Sequence, residues 1–249
     1  MKAMVLAAGL GTRLRPLTDD RPKALVEIAG RTMLEITLTR LKKFGANKAI
    51  VNVHHFADKV TDYLRAKNNF GMRIEVSRED VLLDTGGGLK KAAWFFLEDD
   101  SAANEPFILH NVDVLSTIDL NAMIEAHKAS HSLATLAVQH RETSRQLLFD
   151  DKYQLSGRRA GRDRKPEIVR AAQHLLPFAF SGIHVISPQL LELFTEDGAF
   201  SIIDSYLRLS GDGKTISGFR ADDYYWRDLG KPESIQGAER DMAGISELQ

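Results

Sequence analysis

The chain has 249 residues, with 33 Lys and Arg against 34 Asp and Glu and a net charge of -1. That balance excludes a nucleic-acid binder working through a strong positive field and leaves only a local basic patch open. The absence of cysteine excludes disulfides and thiolate metal sites, while 43% hydrophobic content in a chain of this length supports a substantial core.

Ala3 to Leu6 is an apolar run that predicts a buried first strand, opening directly into a glycine-containing loop. Arg31 to Gly45 carries Met33, Leu34, Ile36, Leu38, Leu41 and Phe44 near helical spacing, and Gly45 suits a helix end. Strands are predicted at Ala49–Val53, Met72–Val76 and Pro106–Leu109, with helices at Phe56–Phe70 and Gly87–Leu97 between them. This is the βαβ rhythm of a doubly wound parallel sheet, whose ligands bind at the carboxyl ends of strands. The rhythm changes after residue 133, where Ser132–Gln139, Gln146–Phe149 and Phe178–Val185 read as strands of a mixed sheet. Helices return at Pro188–Phe194, Phe200–Leu209 and Lys231–Met242. No linker divides the chain, so the expectation is one domain over 1–249, with a nucleotide half at 1–130 and a sugar half at 131–249. No leader or long apolar span stands out, which leads us to expect a cytoplasmic enzyme with no membrane partner and no nucleic-acid partner.

Three patches fall at predicted strand ends. In the first, small residues at Ala7, Ala8, Gly9 and Gly11 let backbone approach a flat base or a phosphate, while Arg13, Arg15 and Lys23 add positive charge. A dinucleotide fingerprint would need glycine at Leu14, and the P-loop pattern is absent; a plain βα turn with solvated basic residues stays open. In the second, Leu83-Asp84-Thr85-Gly86-Gly87-Gly88 opens a helix, placing backbone N–H groups and a positive dipole end at the same side. The third is a pair of carboxylates, Asp113 after a strand and Asp228 before a helix, which can hold a hard cation or can simply cap and turn the chain.

The first loop, Leu6-Ala-Ala-Gly-Leu-Gly-Thr-Arg-Leu-Arg-Pro-Leu-Thr18 followed by Pro22-Lys23-Ala24-Leu25, resembles the sugar-1-phosphate nucleotidyltransferases. Their loop runs Leu-Ala-Ala-Gly-x-Gly-Thr-Arg-Leu-x-Pro-Leu-Thr and then Pro-Lys-Pro-Leu. The Asp84 to Gly88 turn and Trp226-Arg-Asp-Leu-Gly230 are similar to further motifs of the family. The resemblance implies the nucleotide-diphospho-sugar transferase fold, a Rossmann-like α/β architecture on a mixed, mainly parallel sheet. It also implies Mg²⁺, an NTP and a sugar 1-phosphate as substrates, and a monomer or homodimer. Carried over by position, Arg13, Lys23 and Asp113 are catalytic, and Asp113 and Asp228 ligate the metal. Ala7, Ala8, Gly9, Gly11, Thr12, Arg13, Lys23, Asp84, Thr85, Gly86 and Gly87 would bind the nucleotide. Asn111, Arg145 and Gly182 would bind the sugar phosphate.

Two departures from the family stand out. Its Asn-Gly-Asp is Asn111-Val112-Asp113 here, and a β-branched residue at that point is expected to shift the strand end or narrow the sugar pocket. Its Glu-Lys-Pro is matched only by Arg164-Lys165-Pro166, within a cluster of Arg158, Arg159, Arg162, Arg164 and Lys165 expected to be a solvated loop. The resemblance is nearest to the short N-acetylmuramic acid-1-phosphate uridylyltransferases, so UTP is the expected donor. Mannose-1-phosphate guanylyltransferases share these loops and stay as the alternative, as does transfer to another acceptor such as phosphocholine. Two other classes stay open: a glycosyltransferase, which would expect Asp-x-Asp where this chain has Asn111-Val112-Asp113, and a non-catalytic nucleotide sensor, against which the retention of Lys23 and both aspartates argues.

Overall fold

Strand β1 (Lys2–Leu6) sends Ala3 and Val5 into one apolar core and Met4 into another. A strand apolar on both faces belongs inside a sheet covered on both sides, and β1 lies between two parallel neighbours in a ten-stranded sheet. This computed structural model describes residues 1–98, 105–161 and 164–248.

A long loop, the short ribbon of β2 (Glu27–Ile28) and β3 (Arg31–Thr32), and helix α1 (Met33–Lys43) follow β1. The Thr32 hydroxyl accepts the Glu35 N–H at 3.1 Å, and Thr-x-x-Glu is a capping-box pattern. Strand β4 (Lys48–Val53) pairs with β1; α2 (Ala57–Ala66) then leads to β5 (Arg73–Arg78), parallel to β4. The helix expected over 56–70 stops early because Asn68, Asn69 and Phe70 take positive φ angles, a conformation a right-handed helix cannot continue through. The helix expected over 87–97 starts earlier and divides into α3 (Asp84–Lys91) and α4 (Ala93–Leu97). Strand β6 (Phe107–Asn111) then lies on the other side of β1. The winding therefore reverses between β1 and β6, and such a switch point is where open α/β sheets bind ligands.

The second half begins with β7 (Val114–Ser116), α5 (Leu120–Ser130) and β8 (Ala134–Gln139). Helix α5 was not expected; Asp119 caps it by accepting the Asn121 and Ala122 N–H groups, and Leu120, Met123 and His127 are buried. Strands β9 (Arg145–Phe149), β10 (Leu155–Ala160) and β11 (Glu167–Ile168) form an antiparallel ribbon. β10 runs through Arg158 and Arg159, where a solvated loop was expected, and Arg162 lies outside the described residues. The long β12 (Leu176–Ile186) pairs with β9 through Leu176–Phe178 and with β6 through Ile183–Ile186. Between those segments its register breaks around Ser181 and Gly182, the latter at φ +74. The segment Pro188–Leu193 is a 3-10 helix rather than an α-helix. Helix α6 (Ile202–Gly211), β13 (Ile216–Arg220), β14 (Trp226–Asp228) and α7 (Pro232–Gly244) complete the chain. The Rossmann-like α/β fold on a mixed sheet is thus the one that forms, with β6, β1, β4 and β5 parallel to one another and a further parallel pair, β8 and β13, in the second half. No described helix is long and apolar enough to cross a membrane.

Candidate active site

Three strand ends are tied together by one polar chain. The Ala7 N–H, just past β1, donates to Asn52 Oδ1 at 2.7 Å; Asn52 Nδ2, ending β4, donates to Glu79 Oε1 at 2.7 Å. Glu79, just past β5, accepts the Leu83 N–H with its other oxygen at 3.0 Å. Both Asn52 and Glu79 are buried, and every polar atom of this relay that leaves water is matched by a partner. A Cβ on Gly88 would lie 2.7 Å from Glu79 Oε1, so only glycine allows α3 to approach the relay.

The first loop then turns back on itself. Gly11 takes φ +65, its carbonyl accepts the Thr18 hydroxyl at 2.9 Å, and a Cβ there would lie 3.2 Å from Lys23 Cβ. This tight return brings Lys23 to Asp113, and its ammonium hydrogen-bonds Asp113 Oδ2. Ala7, Ala8, Gly9, Lys23, Asn52, Glu79, Asp84, Thr85, Asn111 and Asp113 line a cavity of about 560 Å³. Gly11 and Thr12 lie outside that lining, Gly11 shaping the loop and Thr12 being exposed.

Asp113 and Asp228, distant in sequence, meet because β7 and β14 pair antiparallel, with Asp228 opposite Val114. The Leu229 N–H donates to the Asp113 carbonyl at 2.8 Å, and the Gly230 N–H to Asp228 Oδ1 at 2.7 Å. Arg13 reaches the same spot from the first loop: its guanidinium lies 2.9 Å from where a Cβ on Gly230 would stand. Among the described residues, groups of three or more potential metal ligands do not occur. Two aspartates with hard oxygen donors fit Mg²⁺, which keeps waters and takes further ligands from phosphates.

Val112 does not displace the strand end. Its N–H donates to the Leu6 carbonyl at 3.1 Å, extending the β1–β6 pairing by one residue, and its φ is not positive. Glycine is required instead at 182, where a Cβ would lie 2.8 Å from Val114 and 2.9 Å from Asn111 Nδ2. Gly182 thus supports Asn111 from behind. Gly86 and Gly87, expected to offer N–H groups to the nucleotide, donate them to the Phe200 carbonyl at 2.9 and 3.4 Å. Thr85 also faces that segment through its hydroxyl, which accepts the Ile202 N–H at 3.0 Å, while Asp84 and Thr85 still line the cavity.

A second cavity of about 660 Å³ shares Asp84, Thr85 and Asn111 with the first, so the two open on a common seam. Arg145, Arg158, Arg159, Arg164 and Lys165 all line it, bringing the basic cluster into the site. Sequence reasoning missed two residues. Glu79 sits in the charged run Arg78-Glu79-Asp80, which reads as solvated. Arg141 lies over the Trp226 ring, 3.6 Å from its centroid, and donates to the Phe180 carbonyl. Trp226 Nε1 in turn donates to the Ser181 carbonyl at 2.8 Å, so this pair clamps the β12 bulge to the strand carrying Asp228. Burial lowers the Arg141 pKa, against the opposing pull of Asp228. His110 beside the site is fully buried, and desolvation with Arg40 nearby pushes its pKa to about 3, so it stays neutral.

A sequence profile described as nucleotidyl transferase matches residues 2–149, the stretch that holds the first loop, the glycine turn and Asp113. The chain belongs to this nucleotidyl transferase family. The N-acetylmuramate alpha-1-phosphate uridylyltransferase of Caulobacter vibrioides is 36% identical over 97% of this chain and 96% of its own length. A probable mannose-1-phosphate guanylyltransferase of Oryza sativa is 26% identical over 93% of this chain and 62% of its own. Among solved structures, a putative glucose-1-phosphate thymidylyltransferase from Bacillus anthracis superposes with TM-score 0.79 at 17% identity, covering 98% of this chain and 96% of that one. The nucleotidyltransferase is therefore an enzyme of the sugar-phosphate class, as the first loop implied.

Proposed function

We propose that this nucleotidyltransferase transfers a uridylyl group from UTP to N-acetylmuramic acid 1-phosphate. The observation that carries the reading is the pair of cavities opening on one seam at Asp84, Thr85 and Asn111, with Lys23 and Asp113 on the wall of the first. One cavity suits a nucleotide and the other a sugar, so the α-phosphorus and the attacking sugar phosphate can meet at the seam. The near-full-length likeness to an N-acetylmuramate uridylyltransferase supports the choice of substrates.

In this reading a sugar-phosphate oxygen attacks the α-phosphorus in line. A P–O bond forms, the bond from α-phosphorus to the bridging oxygen breaks, and pyrophosphate leaves with the electron pair. The attacking phosphate is already ionised, so no general base is needed, and positioning and charge stabilisation do the catalytic work. Lys23 holds the α-phosphate and the attacking oxygen; Arg13, on the Asp228 side of the loop, holds the departing pyrophosphate. Asp113 and Asp228 would hold Mg²⁺, which when bound supplies neutralising charge to the phosphates. Arg145 holds the sugar phosphate. Ala8 and Gly9 present backbone to the base, which a pyrimidine can use without a dedicated side chain.

A panel of UTP, dTTP, CTP and GTP against N-acetylmuramic acid 1-phosphate, glucose 1-phosphate and mannose 1-phosphate, scored by pyrophosphate release, tests this. The highest kcat/KM is expected for UTP with N-acetylmuramic acid 1-phosphate. A preference for GTP with mannose 1-phosphate would replace the assignment by the guanylyltransferase one.

A further inference from the structure

The second cavity has one buried polar side chain on its wall. His184, on β12, is 1% exposed, whereas the other polar residues that line the cavity are half-buried or exposed. Strand register fixes the side it faces. His184 stands opposite Leu109 of β6, and Asn111 follows Leu109 by two residues, so His184 and Asn111 share one face of the sheet at diagonal positions, about 7–8 Å apart. Leu136, opposite His184 on β8, and Tyr206 on α6 belong to the same apolar core as Leu109, which confirms the face. Since Asn111 lies at the seam of the two cavities, His184 is on the wall of the second one close to that seam.

Tyr206 decides where the ring carries its proton. His184 Nδ1 and the Tyr206 hydroxyl lie 3.0 Å apart, and this is the one hydrogen bond that either side chain makes among the described residues. Tyr206 is 0% exposed, so its O–H has no water to donate to. It donates to Nδ1, because the reverse arrangement would bury a phenol hydrogen without an acceptor. Burial, with His110 adding to it, pushes the His184 pKa to about 3, and burial raises the Tyr206 pKa, so both groups are neutral. The single proton of the ring is therefore on Nε2, which has no partner among the described residues. Phe180, another residue of the cavity wall, packs against the ring with centroids 4.7 Å apart and holds its plane.

We propose that His184 is a specificity-determining residue, its Nε2–H donating to an oxygen of the sugar, with Tyr206 as the positioning residue that fixes the tautomer. This rests on the reading of the second cavity as the sugar cavity. With Nδ1 occupied, the ring offers a donor and no acceptor, so a hydroxyl or an amide carbonyl satisfies it and a hydrogen in the same place does not. A buried N–H left unpaired then counts against the analogue that lacks the oxygen.

Two measurements test this on the full chain. In protein labelled with 15N-histidine, the His184 ring is expected to carry its proton on Nε2, and that proton resonance should move when N-acetylmuramic acid 1-phosphate is added. Tyr206→Phe should bring in the form protonated on Nδ1. Calorimetry with a non-hydrolysable UTP analogue present then compares N-acetylmuramic acid 1-phosphate with analogues in which one oxygen-bearing substituent at a time is replaced by hydrogen. Wild type is expected to bind one of these about tenfold more weakly than the parent, the upper end of what a neutral hydrogen bond contributes. In His184→Phe that gap should close, the parent should weaken by about the same factor, and affinity for the UTP analogue should hold, a split that a merely structural role would not give. A wild-type ring protonated on Nδ1, an unchanged tautomer in Tyr206→Phe, indifference of wild type to every analogue, or a gap that survives in His184→Phe would overturn the proposal. A preference for GTP with mannose 1-phosphate in the turnover panel would replace the uridylyl assignment, and the same titrations on the mannose series would still decide the role of His184.

Discussion

At the scale of single residues, the Lys23–Asp113 pair is the most consequential contact in the site. It joins the first loop to the end of β6, and it holds a carboxylate that the metal would also use. Removing either charge therefore affects more than one role. Asp113→Asn and Asp228→Asn are each expected to lower kcat by about 10²-fold or more at saturating Mg²⁺ with circular dichroism unchanged; near-normal turnover in either would sink the metal assignment. Lys23→Ala should also reduce kcat by about 10²-fold or more, because the proposed mechanism places its charge on the group in transit. A variant altered only in KM for the sugar phosphate would place Lys23 elsewhere. These residues were legible in the sequence because they sit in an ungapped loop and at strand ends. Glu79 and Arg141 were not, since their roles depend on Asn52 and Trp226, partners that only the folded chain brings near.

At the scale of elements, the glycine run in the first half of α3 illustrates where sequence reading met its limit. Three glycines ahead of a helix do predict close approach, but not to what. The structure gives Gly86 to the Phe200 ring, Gly87 to the Gly198 carbonyl and Gly88 to Glu79 and Asn52. These glycines are thus the packing surface by which α3 sits on the 198–202 segment, and of residues 84–88 only Asp84 and Thr85 remain at the cavity wall. A Cβ on Gly87 would fall 2.3 Å from the Gly198 carbonyl oxygen, and backbone cannot yield as a side chain can. Gly87→Ala is expected to destabilise the protein by about 1–3 kcal/mol through overpacking. For a chain of this size that corresponds to a drop in Tm of about 2–4 °C per kcal/mol; a Tm unchanged in differential scanning calorimetry would refute the packing account. The βαβ order was legible from periodicity, and β10 was not, because five cations in and beside it mask a strand whose first residue, Leu155, is buried.

At the scale of the whole molecule, stability is tied to pH through buried histidines. Burial pushes His127 to about 4 and, with His110 adding to it, His184 to about 3. Both are neutral when folded and gain a proton on unfolding below their ordinary pKa near 6.5. The stability of the neutral forms is therefore complete above that value and declines as pH falls towards the folded values, by up to about 1.4 kcal/mol per pH unit for each group. Urea unfolding at pH 7 and pH 5 should show this fall, and His127→Asn should reduce its slope; equal stability at the two pH values would contradict the burial of these rings. The β7–β14 ribbon has a consequence of another kind. Thr117 and Tyr225, bonded beside it, lie 108 positions apart, so the two aspartates come together only by closing a very long stretch of chain. A chain in which that loop has not yet closed holds the first loop and Asp113 but leaves Asp228 apart from them. Closure of that long loop is therefore the folding step on which the proposed metal pair depends.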